Sequence, residues 1–490
     1  MNRIYVILTA GLILMAAMPA NAQRTLYVNS ATGSDAVTKA GNSEASPWRT
    51  IGRAAWGSAE RNAPNSSEAA SAGDTVHIAG GVYTFNGTIS NRWGVVYNPV
   101  NSGTEGNYIT FVCVGNCTLY APSANSPILG ASSRNYIKWF ADVSRGHSWV
   151  IQACGRLSDC GNNVVNTTAD TGPVVCHDNR GCWIEGAHID GGPGIDYRDN
   201  YNAIRLEWCS SCVIRNNFAS NFTRAESAGG TNHNQSIITL YGTSNSVFEH
   251  NSGINAGSGV YFKDTSSTPL QAGNIVRFNR FERVEEVFAF SLIKREGRNF
   301  IYQNLGIDGR IGLAIVSDGL TNDWIFNNTF YQMSLAAVTL NGNGTGGRFW
   351  NNICLQCDTM VYGNGTSMPP DSVIDFEHNV YSSYRQFYAG TDGNRTFAGY
   401  KSAFPSQDQA GPVSIDANPQ FVGVSARDFR LGNSSPARGR GVDIYDLDRD
   451  GSTSDTIPAG AFITNTESIG VLGDLPSAPG NLRLTIPPGS

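Results

Sequence analysis

A short phrase ending in asparagine recurs seven times in the middle of the chain and constrains its fold more than any other feature. Each phrase is strand-like, as in Asn-Phe-Ile-Tyr-Gln-Asn, and closes on one of these residues: Asn217, Asn251, Asn279, Asn304, Asn328, Asn352 and Asn379. The intervals, by subtraction, are 34, 28, 25, 24, 24 and 27 residues. A second strand-like run precedes most phrases, with no helical period between the two. Two short strands per ~25 residues indicate a repeating unit of strands.

Coils stacked on one another explain this repeat better than two facing sheets do. In a solenoid each inward side chain lies on a like neighbour of the next coil, so apolar residues stack on apolar residues and Asn stacks on Asn. An Asn at a fixed turn position tolerates the left-handed backbone conformation, and its amide can hydrogen-bond the coils on either side. Seven matches in one register argue against coincidence. The sequence therefore predicts an all-β protein, a right-handed parallel β-helix.

The first 22 residues have the character of an export signal. Arg3 supplies the positive charge, residues 4–18 the apolar stretch, and residues 20–22 the small residues of a cleavage site. The apolar stretch is shorter than the ~20 residues of a membrane-spanning helix, and no later stretch reaches that length. We therefore expect residues 1–22 to be a bacterial-type signal peptide and the mature protein to be secreted or periplasmic, without a membrane partner.

The charge balance argues against one class of partner. The chain has 34 Lys and Arg against 40 Asp and Glu, a net charge of −6, whereas nucleic-acid-binding proteins carry a basic face. Its 490 residues exceed the ~100–200 of a typical domain, but a solenoid grows by adding coils. We expect no nucleic-acid partner and a monomer.

The ten cysteines fall into five close pairs. These are Cys113/Cys117, Cys154/Cys160, Cys176/Cys182, Cys209/Cys212 and Cys354/Cys357. The two CxxC pairs are also typical of a zinc ribbon, which is the alternative interpretation. In an exported protein without accompanying metal-ligating histidines, local disulfides are favoured, although geometry can forbid very tight loops. All five pairs are therefore predicted to be disulfides.

A set of short motifs lies ahead of the repeats. They occupy residues 27–29, 33–35, 46–51, 54–55, 72–78 and 80–83. Together they resemble the N-terminal region of pectin-lyase-like β-helix proteins, which include several families of polysaccharide lyases. The resemblance implies a short helix over residues 50–58 that caps the open end of the core, and a first core strand at residues 74–78. An uncapped coil would expose apolar surface and unpaired strand edges.

The repeat fades after Asn379. Motifs at residues 418–422, 428–431, 435–438, 441–443 and 459–462 resemble the C-terminal closing segment of secreted β-helix proteins. The resemblance implies that this segment plugs the other end of the core. The predicted organisation is a β-helix with its N-terminal cap over residues 23–400, a closing segment over 401–465, and a Pro- and Gly-rich tail or linker over 466–490.

Alternation along the strand-like runs assigns their side chains to two faces. The predicted inward residues are Ile204, Leu206, Ile238, Leu240, Val260 and Phe262. The predicted outward residues of the same runs are Arg205, Glu207, Thr239, Tyr241, Tyr261 and Lys263. Three neighbouring coils thus present cations, aromatic rings and a carboxylate on one flat sheet.

Seven of the 34 Lys and Arg residues lie between positions 263 and 298, which in an acidic protein favours an acidic substrate. Lyases of uronic-acid polymers remove the proton beside a carboxylate and expel the 4-linked sugar, so they need a cation for the carboxylate and a neutral base. Lys263 is the predicted base, because neighbouring cations lower the pKa of a lysine. Arg295, or Arg298, is predicted to neutralise the carboxylate. The predicted substrate-binding residues are Arg205, Glu207, Tyr241, Tyr261, Lys294 and Arg298.

The tripeptide Phe-Lys-Asp around Lys263 resembles the strand that carries the catalytic lysine in β-helix lyases of alginate and chondroitin, although the next coil lacks their Arg-His-Gly. The resemblance implies a secreted lyase that cleaves an acidic, uronic-acid-containing polysaccharide by β-elimination. One alternative is a glycoside hydrolase whose carboxylate pair is Glu207 with Glu285 or Glu286. Another is a non-catalytic glycan-binding or adhesive solenoid, in which Lys263 forms an ordinary solvated pair with the aspartate that follows it.

An Asp-rich loop near the C-terminus predicts a metal site. Asp446, Asp448 and Asp450 stand at positions 1, 3 and 5 of the loop, with glycine at position 6. This is the start of an EF-hand calcium loop, but position 12 is isoleucine, so Asp455 would have to substitute. The prediction is a structural calcium ion held by these four carboxylates. The alternative is an ordinary Asp-rich surface turn.

Overall fold

The computed structural model describes most of the chain. The described residues are 23–87, 89, 91, 93–121, 127–152, 164–165, 171–192, 196–197, 200–223, 234–265, 267–291, 298–316, 320–341, 344–363, 373–391, 393–409 and 412–471. The predicted signal peptide and most of the predicted tail lie outside them. Within the described ranges, two complete short α-helices, α1 (Ile51–Trp56) and α2 (Phe397–Ala403), accompany the strands. Over the described ranges, none of the helices has the length and apolar character needed to cross a bilayer.

The strands are short and follow one another closely. In chain order they are β1 Thr25–Val28, β2 Thr75–Thr84, β3 Ile109–Tyr120, β4 Leu129–Ser132, β5 Ile137–Ala141, β6 Ser148–Gln152, β7 Val164–Val165, β8 Val174–Arg180, β9 Trp183–Glu185, β10 Ala187–Asp190, β11 Asp196–Tyr197, β12 Ile204–Ser210, β13 Val213–Arg215, β14 Phe218–Phe222, β15 Ser236–Tyr241, β16 Val247–Glu249, β17 Ser252–Lys263, β18 Ile275–Arg277, β19 Arg280–Ser291, β20 Phe300–Tyr302, β21 Leu305–Ile307, β22 Ile311–Ile315, β23 Trp324–Phe326, β24 Thr329–Tyr331, β25 Ala336–Leu340, β26 Gly347–Trp350, β27 Ile353–Leu355, β28 Thr359–Tyr362, β29 Ile374–Glu377, β30 Val380–Ser382, β31 Gln386–Gly390, β32 Gly393–Arg395, β33 Ile415–Asp416, β34 Phe421–Gly423, β35 Asp428–Leu431, β36 Gly441–Val442 and β37 Thr456–Ile457.

Most of these strands stack in three parallel sheets that run the length of the solenoid. Sheet A contains β4, β8, β12, β15, the second halves of β17 and β19, β22, β25, β28 and β31. Sheet B contains β1, the first halves of β2 and β3, β5, β9, β13, β16, β18, β20, β23, β26 and β29. Sheet C contains the second halves of β2 and β3, β6, β10, β14, the first halves of β17 and β19, β21, β24, β27, β30 and β33. The predicted parallel β-helix is confirmed.

The seven repeated asparagines form one ladder at the turn between sheets B and C, as predicted. Each of the first six donates from its backbone N and its Nδ2 to Oδ1 of the Asn on the next coil; between Asn304 and Asn328 both distances are 3.0 Å. The pattern continues from Asn217 to Asn379, and every member is buried. Because a buried polar group left without a partner costs about 1–3 kcal/mol, this ladder fixes the register of the coils.

A second ladder, of mixed composition, lies at the turn between sheets A and B. The backbone N of Ser246 donates to Oδ1 of Asn274 at 3.2 Å, and the backbone N of Asn274 donates to Oδ1 of Asn299 at 3.2 Å. The ladder ends where the backbone N of Asn299 donates to Oδ1 of Asp323 at 2.9 Å. Burial raises the pKa of this terminal Asp323 to about 6.

The predicted inward residues of sheet A are confirmed. All six predicted inward side chains have 0% exposure. They stack from coil to coil, as where the ring of Phe262 lies 4.4 Å from that of Phe290. Burying a side chain of this size contributes about 1.5–3 kcal/mol, so the inner rows anchor the strands that carry the outward residues.

Helix α1 lies where the sequence predicted the N-terminal helix. Oγ1 of Thr50 accepts from the backbone N of Arg53 at 3.0 Å, and Gly57 ends the helix in the left-handed conformation with φ 74°. All six residues of the helix are buried. Its role as a cap of the core stays a prediction.

Residues 421–471 of the C-terminal segment pack along the side of the solenoid, which corrects the predicted plug for this part. The start of the segment packs on the last coil, where the ring of Phe404 lies 5.6 Å from that of Tyr388. The outer face of sheet C carries an apolar row that would otherwise be exposed. Leu305 of this row packs against Phe429, and Ile353 packs against Leu431. Covering this apolar row removes its surface from water, which stabilises the fold.

Residues 421–471 are called the side strap below. From Val442 onward the strap crosses the coils in the order opposite to the chain. Nδ2 of Asn351 donates to the carbonyl oxygen of Val442 at 2.8 Å, and the later Gly470 donates from its backbone N to the carbonyl oxygen of Phe278 at 2.7 Å. The strap therefore joins coils that are not neighbours.

Three of the five predicted disulfides are formed. They are Cys113–Cys117, Cys176–Cys182 and Cys354–Cys357. Cys154 and Cys160 lie outside the described residues.

Cys209 and Cys212 are free buried thiols, which corrects the prediction for this pair. Each has its own acceptor: Sγ of Cys209 lies 2.9 Å from the carbonyl oxygen of Cys176, and Sγ of Cys212 lies 3.7 Å from Oδ1 of Asn179. Burial raises the pKa of Cys209. Among the described residues, no cysteine belongs to a group that could hold a metal ion, so the zinc-ribbon alternative gains no support.

Candidate functional site

Sheet A aligns the predicted site residues in two outward rows. Glu207 pairs in register with Tyr241, and Tyr241 with Lys263, so these three lie side by side on consecutive strands. Arg205 and Tyr261 lie two residues earlier on the first and third of these strands. Neighbouring strands of a sheet are ~4.8 Å apart, so the stacking brings residues from distant parts of the sequence into one patch. The outward surface of β8, β12, β15 and β17 is called the site face below.

Arg205 and Glu207 form a buried ion pair in the floor of the site face. Nε and Nη2 of Arg205 donate to Oε2 of Glu207 at 3.0 and 2.8 Å, and each residue is 4% exposed. The guanidinium carbon of Arg205 also lies 5.5 Å from the ring centroid of Trp93 and 5.2 Å from that of Tyr241. Because a buried charge is costly without its partner, the pair holds the guanidinium in position beneath the two rings.

Lys263 lies at the edge of the rows, beside an aromatic ring and an amide. Its Nζ donates to Oδ1 of Asn234 at 3.1 Å and lies 5.5 Å from the ring centroid of Tyr261. Burial raises the pKa of Tyr261 to about 12, so this phenol stays protonated at neutral pH. Lys263 itself is half-buried.

Three residues of the site face were missed by the sequence analysis. His177 pairs with Glu207 and so extends the row of Lys263 by one coil. Its ring stacks on Trp93 at 4.2 Å and lies 5.5 Å from the ring of Trp208. Trp93 lies ahead of the repeats, and no local sequence pattern indicates that it belongs to the site. Trp208 directly follows Glu207, so its position next to a predicted site residue could have identified it.

A left-handed backbone conformation makes Trp208 project from the sheet. Its φ is 57°, and Asp178 on the preceding coil has φ 46°, while the residues on either side of both stay paired. Left-handed backbone is unfavourable for a bulky residue and is typical of positions held for a function. Trp208 is 43% exposed and therefore offers a ring to a bound molecule.

Of the other predicted cations, only Arg298 lies in a described part of the chain, and it does not join the site face. Lys294 and Arg295 lie outside the described residues. The side chain of Arg298 lies on sheet B, where its guanidinium carbon is 4.4 Å from the ring centroid of Trp324. This corrects the prediction that Arg298 binds substrate beside Lys263. The cause is its place in the chain, directly before the sheet B strand β20.

The cluster of cations between positions 263 and 298 is dispersed by the fold. Arg277 lies on sheet B and forms an ion pair with Glu249 at 2.7 Å. Arg280 lies on sheet C and forms an ion pair with Glu282 at 2.5 Å. Described residues close in sequence thus point to different faces, and the described part of the site face is a mixed patch of aromatic and charged residues.

The carboxylate pair of the hydrolase alternative is too widely separated. Glu286 pairs in register with Ser258 of β17. Glu207 lies in the row of Lys263, and Lys263 is five residues further along β17 than Ser258 (263 minus 258). Five residues of strand span about 16 Å. The two carboxyl groups of glycosidases lie about 5–9.5 Å apart. Glu285, next to Glu286, forms an ion pair with an arginine at 3.6 Å.

The carboxylates of the predicted calcium loop converge. Oxygens of Asp448, Asp450 and Asp455 lie within 4.8 Å of one another, and so do those of Asp443, Asp446 and Asp448. The fully buried Asp443 was not predicted. Within the described chain, Oδ1 of Asp455 is buried without a hydrogen-bond partner. Burial and the neighbouring carboxylates raise the pKa of Asp448, so a cation would relieve this crowding, and the residues fit calcium.

Comparison with known proteins bears on the fold. The sequence matches no protein-family model and no curated protein. The match with pectate lyase Pel9A covers 90% of this chain and 96% of the Pel9A chain, with a TM-score of 0.51 and 13% sequence identity. The fold is similar to that of Pel9A. A mannuronic acid specific polysaccharide family 6 lyase from human gut microbiota has a TM-score of 0.37 at 13% identity, with 74% of each chain covered. A rhamnogalacturonan lyase has a TM-score of 0.37 at 11% identity, covering 84% of this chain and 95% of its own.

The likeness to Pel9A extends over nearly the whole of both chains, so it concerns the solenoid as a unit. At 13% identity it establishes a shared fold, and the reaction has to be inferred from the site face itself.

Proposed function

We propose that the protein is an exported polysaccharide lyase that cleaves a uronic-acid-containing polysaccharide by β-elimination on the site face. The observation that carries the proposal is the alignment of Glu207, Tyr241 and Lys263 on consecutive strands, with aromatic rings on both sides. A lysine beside rings, on a surface rather than in the core, has the surroundings that a base acting on a sugar needs.

In the proposed reaction Lys263, in its neutral form, removes the proton from carbon 5 of a uronate ring. The electron pair of that bond forms a double bond between carbons 4 and 5. The bond from carbon 4 to the bridging oxygen breaks, and the leaving oxygen takes a proton from water. A cation must neutralise the carboxylate beside carbon 5, and Arg295 stays the predicted residue for this role.

The aromatic residues would hold the sugar rings. Tyr241, Trp208 and the stacked pair of His177 and Trp93 present ring faces and edges along the row that leads to Lys263. Such rings pack against the apolar faces of sugars with little loss of side-chain entropy. The Arg205–Glu207 pair beneath them acts as a positioning element.

Export and calcium are further parts of the proposal. Three disulfides suit an oxidising compartment outside the cytoplasm. The Asp-rich loop belongs to the side strap and borders a cavity with Arg277 and Tyr302 of sheet B, away from the site face. The proposed calcium ion would therefore stabilise the strap and take no part in the reaction.

A panel of uronic-acid polymers tests the proposal. The protein is incubated with each polymer, and the ultraviolet absorbance of the unsaturated product is followed. Release of reducing ends without this absorbance would indicate a hydrolase, and neither signal on any polymer would indicate a binding protein. Lys263→Ala is the inactive control, and Arg283→Gln, an exposed charge change on sheet C, is the matched control.

A further inference from the structure

A cavity of about 350 Å³ lies beside helix α1, and none of its described lining residues belongs to the site face. Its apolar wall consists of Trp56, Phe85, Ile89 and Tyr97. The ring of Trp56 lies 5.9 Å from that of Phe85, edge to face, and 6.2 Å from that of Tyr97, nearly parallel to it. The cavity is therefore bounded by aromatic rings in two orientations. It is called the α1 cavity below.

Two glycines of the lining leave room for these rings. A Cβ at Gly52 would lie 2.4 Å from Cζ3 of Trp56, and a Cβ at Gly87 would lie 2.5 Å from Cζ of Phe85. Contacts this short would displace the rings from their present positions. The local sequence thus keeps the smallest residue at both places where a side chain would disturb the aromatic wall.

One buried donor of this wall has no acceptor. Trp56 is 6% exposed, and its indole Nε1 is buried without a hydrogen-bond partner among the described residues. A buried donor left without a partner costs free energy, and such groups are rare in folded proteins. An oxygen of a bound molecule is a suitable acceptor for this N–H.

Arg61 places a half-buried guanidinium at the rim of the cavity. Its Nε and Nη2 donate to the carbonyl oxygens of Val96 and Val95 at 3.3 and 3.2 Å, which hold the group in place. Burial lowers the pKa of Arg61, and within the described chain no carboxylate forms an ion pair with it. The exposed Glu60 also lines the cavity. The rim therefore offers charged donors and a charged acceptor, without an excess of either sign from these two residues.

Neutral polar groups complete the rim. Asn62, Thr84 and Asn86 are exposed and carry both donors and acceptors. Hydroxyl groups also donate and accept, so a ring with several hydroxyls can bond to an amide, a carboxylate and a guanidinium together. The C–H faces of the same ring can pack on the aromatic wall. A sugar ring thus matches both parts of the cavity, whereas an apolar acid would leave the acceptors of the rim unused.

The size and the place of the cavity also suit a sugar. Its volume is at the small end of the range of ligand pockets, ~300–1,000 Å³. The backbone N atoms of Val96 and Tyr97 donate to the carbonyl oxygens of Pro127 and Ile128, directly before β4. Tyr97 therefore lies one strand beyond β4 and five strand spacings from β17, about 24 Å along the solenoid. A molecule in the α1 cavity is too far from Lys263 to react there.

We propose that the α1 cavity is a saccharide-binding site that takes one sugar ring and does not cleave it. The aromatic wall packs on the face of the ring, Nε1 of Trp56 donates to one of its oxygens, and Arg61 and the polar rim bond to its hydroxyl or carboxylate groups. The site rests on the groups of the cavity and does not require the proposed function.

Saturation-transfer NMR of the full chain tests this proposal, with galacturonate, glucose and xylose as separate probes at millimolar concentration. We expect at least one of the three sugars to bind. Its affinity should be about tenfold weaker in Trp56→Phe, which keeps a ring but removes the N–H, and in Arg61→Gln. Arg283→Gln, the same change at an exposed arginine of sheet C, is the matched control and should bind as the wild type does.

Four results would overturn the proposal. They are no binding of any of the three sugars, wild-type affinity in both cavity variants, an equal loss in Arg283→Gln, and tighter binding of benzoate than of every sugar. Thermal melting checks that each variant is folded, and Phe85→Leu, at a half-buried ring, replaces a variant that is not. Cleavage of a uronic-acid polymer by a wild type that binds none of the three sugars would leave the proposed function standing without this site.

Discussion

Tyr241 and Lys263 occupy the same register position on neighbouring strands of sheet A, although 22 residues separate them in the chain (263 minus 241). Because the coils stack, the two residues lie side by side on adjacent strands, and Glu207 continues the row on the other side of Tyr241. The site face is therefore a property of the register, which the Asn ladder fixes. A change in either should be visible in activity or in stability.

Replacement of Lys263 tests the proposed base. Lys263→Ala should lower turnover by about 10²–10⁴-fold, because proton transfer by a positioned group contributes that much. Lys263→Arg should fail as well, since a guanidinium does not readily lose its proton at neutral pH. The measurement is product absorbance on a polymer that the wild type cleaves. Wild-type turnover in Lys263→Ala would move the search to Glu207 and its neighbours.

Replacing one partner of the Arg205–Glu207 ion pair should destabilise the protein more than replacing both partners together. Arg205→Met or Glu207→Leu leaves one buried charge without its partner and should lower the free energy of unfolding by about 3–5 kcal/mol. The double variant Arg205→Met/Glu207→Leu leaves no such charge and should lose less than the sum of the two. Denaturant unfolding of all four proteins gives the comparison. Additive losses would show that the two side chains do not interact.

Removing one rung of the Asn ladder should also lower stability. Asn304→Ala removes the Oδ1 that accepts from the buried backbone N of Asn279, and we expect this unsatisfied group to lower the free energy of unfolding by about 1–3 kcal/mol. Oδ1 of Asn328 keeps the backbone N of residue 304 as its donor. Ser334→Ala, on an exposed turn, is the control and should change stability by less than about 0.5 kcal/mol. Equal melting temperatures for the two variants would contradict the ladder's role.

Asp323 should make stability depend on pH. Burial raises its pKa from 3.8 to about 6, so the folded state keeps the proton to a higher pH than the unfolded state does. Its contribution to the free energy of unfolding is full below about pH 4 and is lost as the pH rises to about 6, on the order of 3 kcal/mol in total. The difference between wild type and Asp323→Asn across this range isolates the group. A constant difference would contradict the raised pKa.

Calcium should stabilise the side strap if the Asp-rich loop binds it. Thermal melting in calcium and in chelator should differ for the wild type, because binding to the folded state raises stability by mass action. Asp448→Asn removes a carboxylate that both oxygen clusters share and should abolish the difference. Turnover on a cleaved polymer should persist in chelator at a temperature where the protein stays folded. An identical melting temperature with and without calcium would identify an ordinary Asp-rich turn.

The repeat predicted the fold because its signal is periodic. Each Asn of the ladder had six counterparts, so the coils, the register and the inward residues of sheet A followed from pattern alone. The same alternation placed Glu207, Tyr241 and Lys263 on one face.

The rest of the site depended on contacts that no period encodes. Trp93 reaches His177 from a segment ahead of the repeats, and the left-handed conformation of Trp208 breaks the alternation on which the faces were assigned. The density of Lys and Arg along the sequence was misleading. Each coil turns three times, so cations close in sequence, such as Arg277 and Arg280, lie on different sheets.

The side strap changes how such a solenoid should come apart. In a repeat protein stability is close to a sum of terms between adjacent units, so coils can be lost one at a time from an end. The strap hydrogen-bonds Ser252 through Val471 and packs near Val380 through Leu431, so it bridges the six ladder coils from Asn251 to Asn379. These coils should exchange their amide hydrogens as one cooperative block, while the coils before Asn217 fray independently. A protease that cut the strap once would therefore convert an all-or-none unfolding unit into one that unzips in steps.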